Sequence, residues 1–69
     1  MKEYDLVSSA IRRVKYSGEN KGGRLTVYFT DGTITTYGYV SEKTVKNLVE
    51  SNSQGRFFNE HIRDQHPIV

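Results

Sequence analysis

The sequence predicts an α+β fold: a three-stranded antiparallel sheet followed by two short C-terminal helices packed on one face, in the order β-β-β-α-α. Two patterns support this prediction. Apolar and polar residues alternate in the first half of the chain, as in half-buried strands, whereas apolar residues recur at helical spacing in the second half. The 69 residues suffice for a single domain, and five Tyr and three Phe argue for a folded chain.

The first part of the chain predicts an arm and one strand. Residues 1–6 form an N-terminal arm outside a domain core of about 7–66. Ser8 and Ser9 are typical of a turn, because their hydroxyl groups bond to nearby backbone. Residues 11–16 follow as a half-buried strand in which apolar and basic side chains alternate.

The next two strands form a hairpin. Residues 17–23 contain three glycines and no apolar residue, which predicts a loop. Residues 24–30 show the clearest alternation in the chain and predict the second strand. Asp31 and Gly32 predict a turn, and residues 33–40, rich in Thr and Tyr, return as the third strand.

Two helices complete the chain. Ser41 is a good N-cap residue, and an apolar stripe follows it at helical spacing. Residues 51–53 break this helix and offer a second cap, and the second helix runs to about Arg63. Gly55 near its start suggests a close backbone approach or a ligand, but we favour a helix that is simply packed tightly on its neighbour. The expected core consists of Val14, Tyr16, Leu25, Val27, Phe29, Val45, Leu48, Val49, Phe58 and Ile62.

The turn allows two hairpin registers, which differ in the face that the tyrosines occupy. A two-residue type I′ turn places Tyr37 and Tyr39 on the open face, where aromatic rings rimmed by basic residues can stack on bases. A three-residue loop with a bulge at Gly32 pairs Phe29 with Thr33 and places both tyrosines in the core. We favour the second register, because it gives a small core two large side chains.

Positive charge is concentrated near the first strand. Residues 11–24 contain five basic residues and one acidic residue, whereas residues 41–69 balance. A local basic patch is typical of nucleic-acid binding. The alternative is a solvated strand and loop, which carry such residues routinely. The candidate nucleic-acid contacts are Arg12, Arg13, Lys15, Arg24, Tyr28, Tyr37, Tyr39, Arg56 and Arg63.

The sequence contains no convincing catalytic or metal-binding constellation. It has no cysteine, and the spacing of His61 and His66 does not suit one helical face. No nucleophile elbow surrounds Ser8 or Ser9, and no phosphate-binding loop follows the glycines. We therefore expect no enzyme activity, cofactor or metal. Because no long apolar run or signal peptide is visible, we also expect a cytoplasmic protein without membrane contact.

The order of several short motifs resembles that of the KTSC domain family, over roughly residues 7–66. The matching positions are Ser8, Ser9, Ile11, Gly32, Tyr37, Gly55, Arg56, Phe57, Phe58, Asn59, Ile62 and Arg63. The central Tyr-x-Tyr motif of the family matches Tyr37-Gly38-Tyr39. If the alignment is anchored on the family's Val-Pro, matched here by Val40-Ser41, the motif falls on Thr35-x-Tyr37 and Thr replaces its first Tyr.

The resemblance implies a small bacterial or phage protein of a family also found at the C-terminus of some lysyl-tRNA synthetases. RNA binding is suggested for the family from that association, which is not evidence from a site. We therefore predict a small binding module for RNA or another nucleic acid. The alternative is a protein-interaction module or small regulator that uses the open sheet face, an edge strand or the C-terminal helix.

Overall fold

The computed structural model describes residues 1–19 and 22–69. An antiparallel sheet with strands in the order β1-β2-β3-β4 is followed by the helical part of the chain. The elements are β1 (Lys2–Asp5), β2 (Ile11–Glu19), β3 (Gly22–Phe29), β4 (Ile34–Val40), α1 (Glu42–Glu50), α2 (Gln54–Phe58) and a π-helical segment (Asn59–Arg63). The predicted α+β class and element order are confirmed, but the sheet has four strands, and the prediction of three was wrong.

The additional strand is β1, which lies where the sequence predicted an arm over residues 1–6. It pairs antiparallel with β2, and Tyr4 lies opposite Val14. Tyr4 is the one apolar residue among the four residues of β1, so hydrophobic periodicity gives no strand signal. β1 forms because β2 offers it a complementary edge, and Leu6 then anchors the following residues in the core.

β2 and β3 are longer than predicted. Their pairing extends to Glu19 and Gly22, so the ends of the predicted loop at residues 17–23 belong to strands. Glycine suits position 23 because a Cβ there would collide with the Ser17 carbonyl oxygen. Lys21, part of the predicted basic segment, lies outside the described residues.

The β3–β4 hairpin has the register that we favoured. Phe29 N–H donates to the Thr33 carbonyl at 2.9 Å, and Gly32 N–H donates to the Phe29 carbonyl at 3.1 Å. Gly32 has a φ of 94°, as the bulge position of a three-residue loop requires. The Asp31 carboxylate accepts from Thr33 N–H at 2.9 Å, which lowers the pKa of Asp31. Local turn chemistry therefore decides the register.

The two tyrosines of β4 differ in burial. Tyr37 is buried, as the register predicts, and lies opposite Leu25. Tyr39 is 67% exposed, and its predicted burial was wrong. A second irregularity separates the Gly23–Val40 and Leu25–Tyr37 pairs, and Tyr39 has a left-handed φ of 59°. This bulge interrupts the alternation, so Val40 rather than Tyr39 enters the core.

The helices begin and end near the expected residues. The Ser41 hydroxyl accepts from Thr44 N–H at 3.1 Å, which confirms the predicted N-cap of α1. Ser53 precedes α2 but makes no side-chain cap bond, so the second predicted cap was wrong. Phe58 and Ile62 are buried, as predicted from their spacing. No helix in residues 1–19 and 22–69 is long and apolar enough to cross a membrane.

The core lies between one face of the sheet and the helical part of the chain. Most of the expected residues are buried, whereas Phe29 and Val49 are partly buried at its edge. The core also contains Tyr37, as the favoured register predicts, and three residues that the sequence did not assign to it: Leu6, Ile11 and Val40. The opposite face of the sheet, which we call the open face, is not covered by any element within residues 1–19 and 22–69, and it holds the candidate site.

Candidate nucleic-acid interface

Strand alternation brings the predicted basic residues together on the open face. Arg13 and Lys15 of β2 lie opposite Tyr28 and Thr26 of β3. A register shift between Ile11 and Arg13 turns Arg12 to the same side. Arg12, Arg13 and Tyr28 line one depression of about 300 Å³ at the hairpin end. The open face is formed by Glu3, Asp5, Arg12, Arg13, Lys15, Ser17, Arg24, Thr26, Tyr28, Ile34 and Thr36.

Two acidic residues of β1 neutralise part of this surface. The Arg13 guanidinium donates to the Asp5 carboxylate at 2.9 Å and lies 3.9 Å from that of Glu3. Lys15 Nζ is 3.7 Å from the same Glu3 carboxylate. Sequence analysis missed Glu3 and Asp5 because it did not recognise β1. Their charge, complementary to that of β2, is the signal that would have indicated the pairing.

Tyr28 is the aromatic residue at the centre of the open face. Lys15 Nζ lies 5.4 Å from the centroid of the Tyr28 ring, within the range of a cation–π contact. The neighbouring Thr26 and Thr36 hydroxyls are 3.1 Å apart and share a hydrogen bond across the β3–β4 pair. The half-buried ring therefore has basic groups close to it.

The open face carries an excess of positive charge. Its four basic and two acidic side chains among the described residues sum to +2. The helical side contains compensated pairs, such as Lys2 with Glu42 at 2.7 Å and Arg56 with Glu60 at 2.8 Å. A polyanion would therefore be attracted to the open face first.

The remaining candidate contacts do not join this surface. Tyr37 is buried in the core, where desolvation raises its pKa, so its assignment to a stacking surface was wrong. Arg56 and Arg63 belong to the helical side of the molecule. Tyr39 is exposed near the end of β4, where its backbone passes close to Gly22.

Several residues matched to the family motifs surround a different feature, a groove between β4 and the π-helical segment. Its volume is about 540 Å³, and its walls include Tyr37, Phe58, Asn59 and Arg63. The Phe58 ring meets the rings of Phe29 and Tyr37 edge to face, at centroid distances of 5.6 and 5.5 Å. π-Helical turns occur frequently at functional sites, and here the turn supplies Asn59 and Arg63 to the mouth of the groove.

Two other matched positions have structural roles. The Ser8 hydroxyl accepts from the backbone N–H groups of Ala10 and Ile11 at 3.2 and 3.4 Å, as the predicted turn requires. A Cβ added to Gly55 would lie 3.3 Å from the same hydroxyl oxygen. Gly55 therefore packs closely against the Ser8 side chain, in agreement with the tight packing that we favoured.

The ionisable side chains form no metal-binding cluster in the part of the chain that the structure describes. No three residues among His, Asp and Glu come together there. His61 instead lies against Phe57, with ring centroids 4.5 Å apart.

Comparison with known proteins identifies the family. The family model described as "KTSC domain" matches residues 7–66. An uncharacterized protein of Stutzerimonas stutzeri (strain A1501) is 36% identical over 66 residues, which cover 96% of this chain and 90% of that protein. The chain therefore belongs to the KTSC domain family.

Proposed function

We propose that this KTSC domain is a small, non-enzymatic cytoplasmic module that binds single-stranded RNA on its open face. The observation that carries the proposal is the charge distribution, because the described side chains of one sheet face carry an excess of positive charge around an aromatic ring. Such a surface suits a single strand, whose phosphates need cations and whose bases stack on aromatic rings.

The basic residues lie towards both ends of the face. Arg12 and Arg13 border the hairpin end, and Arg24 is four residues before Tyr28 on β3. At the rise of a strand, this places Arg24 about 13 Å from Tyr28. A single strand of RNA that lies along β3 would meet basic side chains on both sides of the Tyr28 ring. One stacked base contributes about 1–3 kcal/mol, so we expect weak binding that depends strongly on salt.

The experiment that tests the proposal is a fluorescence titration of the protein with a mixed-sequence single-stranded RNA 12-mer, at about 50 mM and 200 mM salt. If the protein contacts two to four phosphates, a plot of the logarithm of the binding constant against the logarithm of salt concentration should fall with a slope of about −1.4 to −2.8. Replacing either Arg12 or Arg24 with Ala should reduce that slope by about 0.7.

Matched controls are available on α1. Lys43→Ala and Lys46→Ala change the net charge by the same amount, but both residues lie on the exposed surface of the helical side. They should leave the binding constant nearly unchanged. If the binding constant fell equally in the arginine variants and in the lysine variants, the RNA would be attracted by net charge alone. Failure of the RNA to bind at low salt would contradict the proposal and favour a protein ligand.

A further inference from the structure

The outer edge of β4 carries backbone groups that point away from the sheet. β4 is the last strand in the sheet order. Phe29 and Thr33 form a hydrogen-bonded pair, and such pairs alternate with non-bonded pairs along an antiparallel ladder. The N–H and C=O groups of Ile34, Thr36 and Gly38 are therefore directed outward.

The C-terminal tail, residues 67–69, bonds to part of this edge in the way that an added strand would. Gly38 N–H donates to the Pro67 carbonyl at 2.8 Å, and Val69 N–H donates to the Thr36 carbonyl at 2.9 Å. These bonds flank an antiparallel bridge between Tyr37 and Ile68. This pairing does not reach Ile34. In the described chain, no backbone group bonds to the outward N–H and C=O groups of Ile34.

The groove between β4 and the π-helical segment lies beside this unpaired part of the edge. Thr33 and Thr35 line its sheet side, and Ile68 of the tail lines it as well. Side chains alternate along a strand and match across a pair. An extended segment paired beside Ile34 would therefore direct the two residues opposite Thr33 and Thr35 towards the groove. The rings of Phe29, Tyr37 and Phe58 lie among its walls, and Asn59 and Arg63 supply polar groups.

We propose that this edge and groove bind an extended peptide segment of a partner protein by strand addition. The segment runs antiparallel to β4, in line with the tail, and bonds to the outward N–H and C=O groups of Ile34. Its residues at alternate positions are apolar and enter the groove. The tail supports this occupant, because it shows that the same edge accepts extended backbone in this direction. This site is separate from the RNA surface and does not depend on it.

The first experiment selects ligands from a phage-displayed library of random seven-residue peptides against the immobilised full chain. One enriched peptide is then synthesised and titrated into the ¹⁵N-labelled chain. We expect enriched peptides to share apolar residues two positions apart. We also expect the Ile34 amide signal to shift and to gain protection from hydrogen exchange. Absence of enrichment, or shifts confined to β1 and β2, would overturn the proposal.

Variants at Ile34 test the backbone contact directly. Ile34→Pro removes an N–H that the sheet itself does not use, and should weaken peptide binding about tenfold. Ile34→Thr retains the N–H and should bind as the unmodified chain does. Equal affinity of the proline variant would contradict strand addition. So would shifts of the Ile34 amide when the protein is concentrated without peptide, because a second copy would then occupy the edge.

A groove variant keeps the proposal testable if Ile34→Pro does not fold. Asn59 is exposed at the mouth of the groove, so Asn59→Trp should fold and obstruct the entering side chains. The same peptide should then bind about tenfold more weakly. Lys46→Trp on α1 serves as the control, because Lys46 is exposed and is not part of this groove. Unchanged affinity in Asn59→Trp would overturn the groove as the binding site.

Discussion

The Tyr16 hydroxyl donates a hydrogen bond of 2.7 Å to the carbonyl oxygen of Val40. This bond connects β2 to the end of β4 across the intervening strand β3. The Tyr16 ring passes over Gly23, where an added Cβ would lie 2.8 Å from two ring carbons. Both bonded residues are buried, so the tyrosine satisfies a carbonyl group that has little access to water.

Replacing Tyr16 with Phe should lower the free energy of unfolding by about 1–2 kcal/mol, because the Val40 carbonyl loses its partner inside the protein. Urea denaturation monitored by circular dichroism would measure the change. Tyr28→Phe is the control, since no hydrogen bond joins the Tyr28 hydroxyl to another group in residues 1–19 and 22–69. A loss as large in Tyr28→Phe would contradict the assigned role of the Tyr16 bond.

Burial should make the protein less stable in alkali. Desolvation raises the pKa of Tyr16 and of Tyr37 in the folded chain. Their contribution is fully present below the unfolded pKa of about 10 and is lost as the pH rises through the higher folded pKa. We therefore expect unfolding by urea to become easier as the pH rises above about 10.

The double variant Tyr16→Phe/Tyr37→Phe tests this pH dependence. At neutral pH the double variant should have a lower free energy of unfolding than the unmodified protein. As the pH rises, it should lose less of that free energy. The ion pair with Glu42 also raises the pKa of Lys2, and the double variant retains that pair. The difference between the two proteins therefore reports on the tyrosines. Parallel pH profiles would show that their burial does not cause the alkaline loss.

Tyr39 should limit stability because its backbone is strained. Its φ of 59° is a left-handed conformation that glycine adopts at lower cost. Tyr39→Gly should therefore raise the free energy of unfolding by about 1 kcal/mol. The matched substitution Tyr28→Gly should lower it, since Tyr28 has no positive φ. Chemical denaturation of both variants gives the comparison, and a destabilised Tyr39→Gly would show that the ring contributes more than the strain costs.

Neutralising the β1 carboxylates should strengthen RNA binding. Asp5 holds the Arg13 guanidinium at 2.9 Å, and both side chains are substantially exposed. Asp5→Asn removes one negative charge from the open face and makes Arg13 available to a phosphate, so we expect the binding constant to rise severalfold at low salt. The stability cost should be small, because solvent screens an exposed ion pair.

Glu50→Gln provides the control for Asp5→Asn, because it changes the net charge equally at an exposed position on α1. The RNA titration should distinguish the two variants. If Glu50→Gln raised the binding constant as much as Asp5→Asn, the position of the charge on the open face would be irrelevant, contrary to the proposed function.

Much of the fold was predictable because it depends on local chemistry. Alternation identified β3, the Ser41 cap located the start of α1, and the need of a small core for large side chains favoured the correct hairpin register. The grouping of Arg13, Lys15 and Tyr28 on one face also follows from alternation together with antiparallel pairing. For these features, neighbouring residues in the chain supply the deciding interactions.

The alternation and the cap residues of this sequence thus determined the α+β class, and the need of a small core for large side chains placed Tyr37 inside it. Tertiary structure alone decided that residues 2–5 form a strand, that Glu3 and Asp5 neutralise part of the basic patch, and that Tyr39 leaves the core. β1 has too little apolar periodicity to be recognised in isolation and forms by pairing with β2. Tyr39 is exposed because a bulge, formed against β3, shifts the alternation by one residue and brings Val40 into the core.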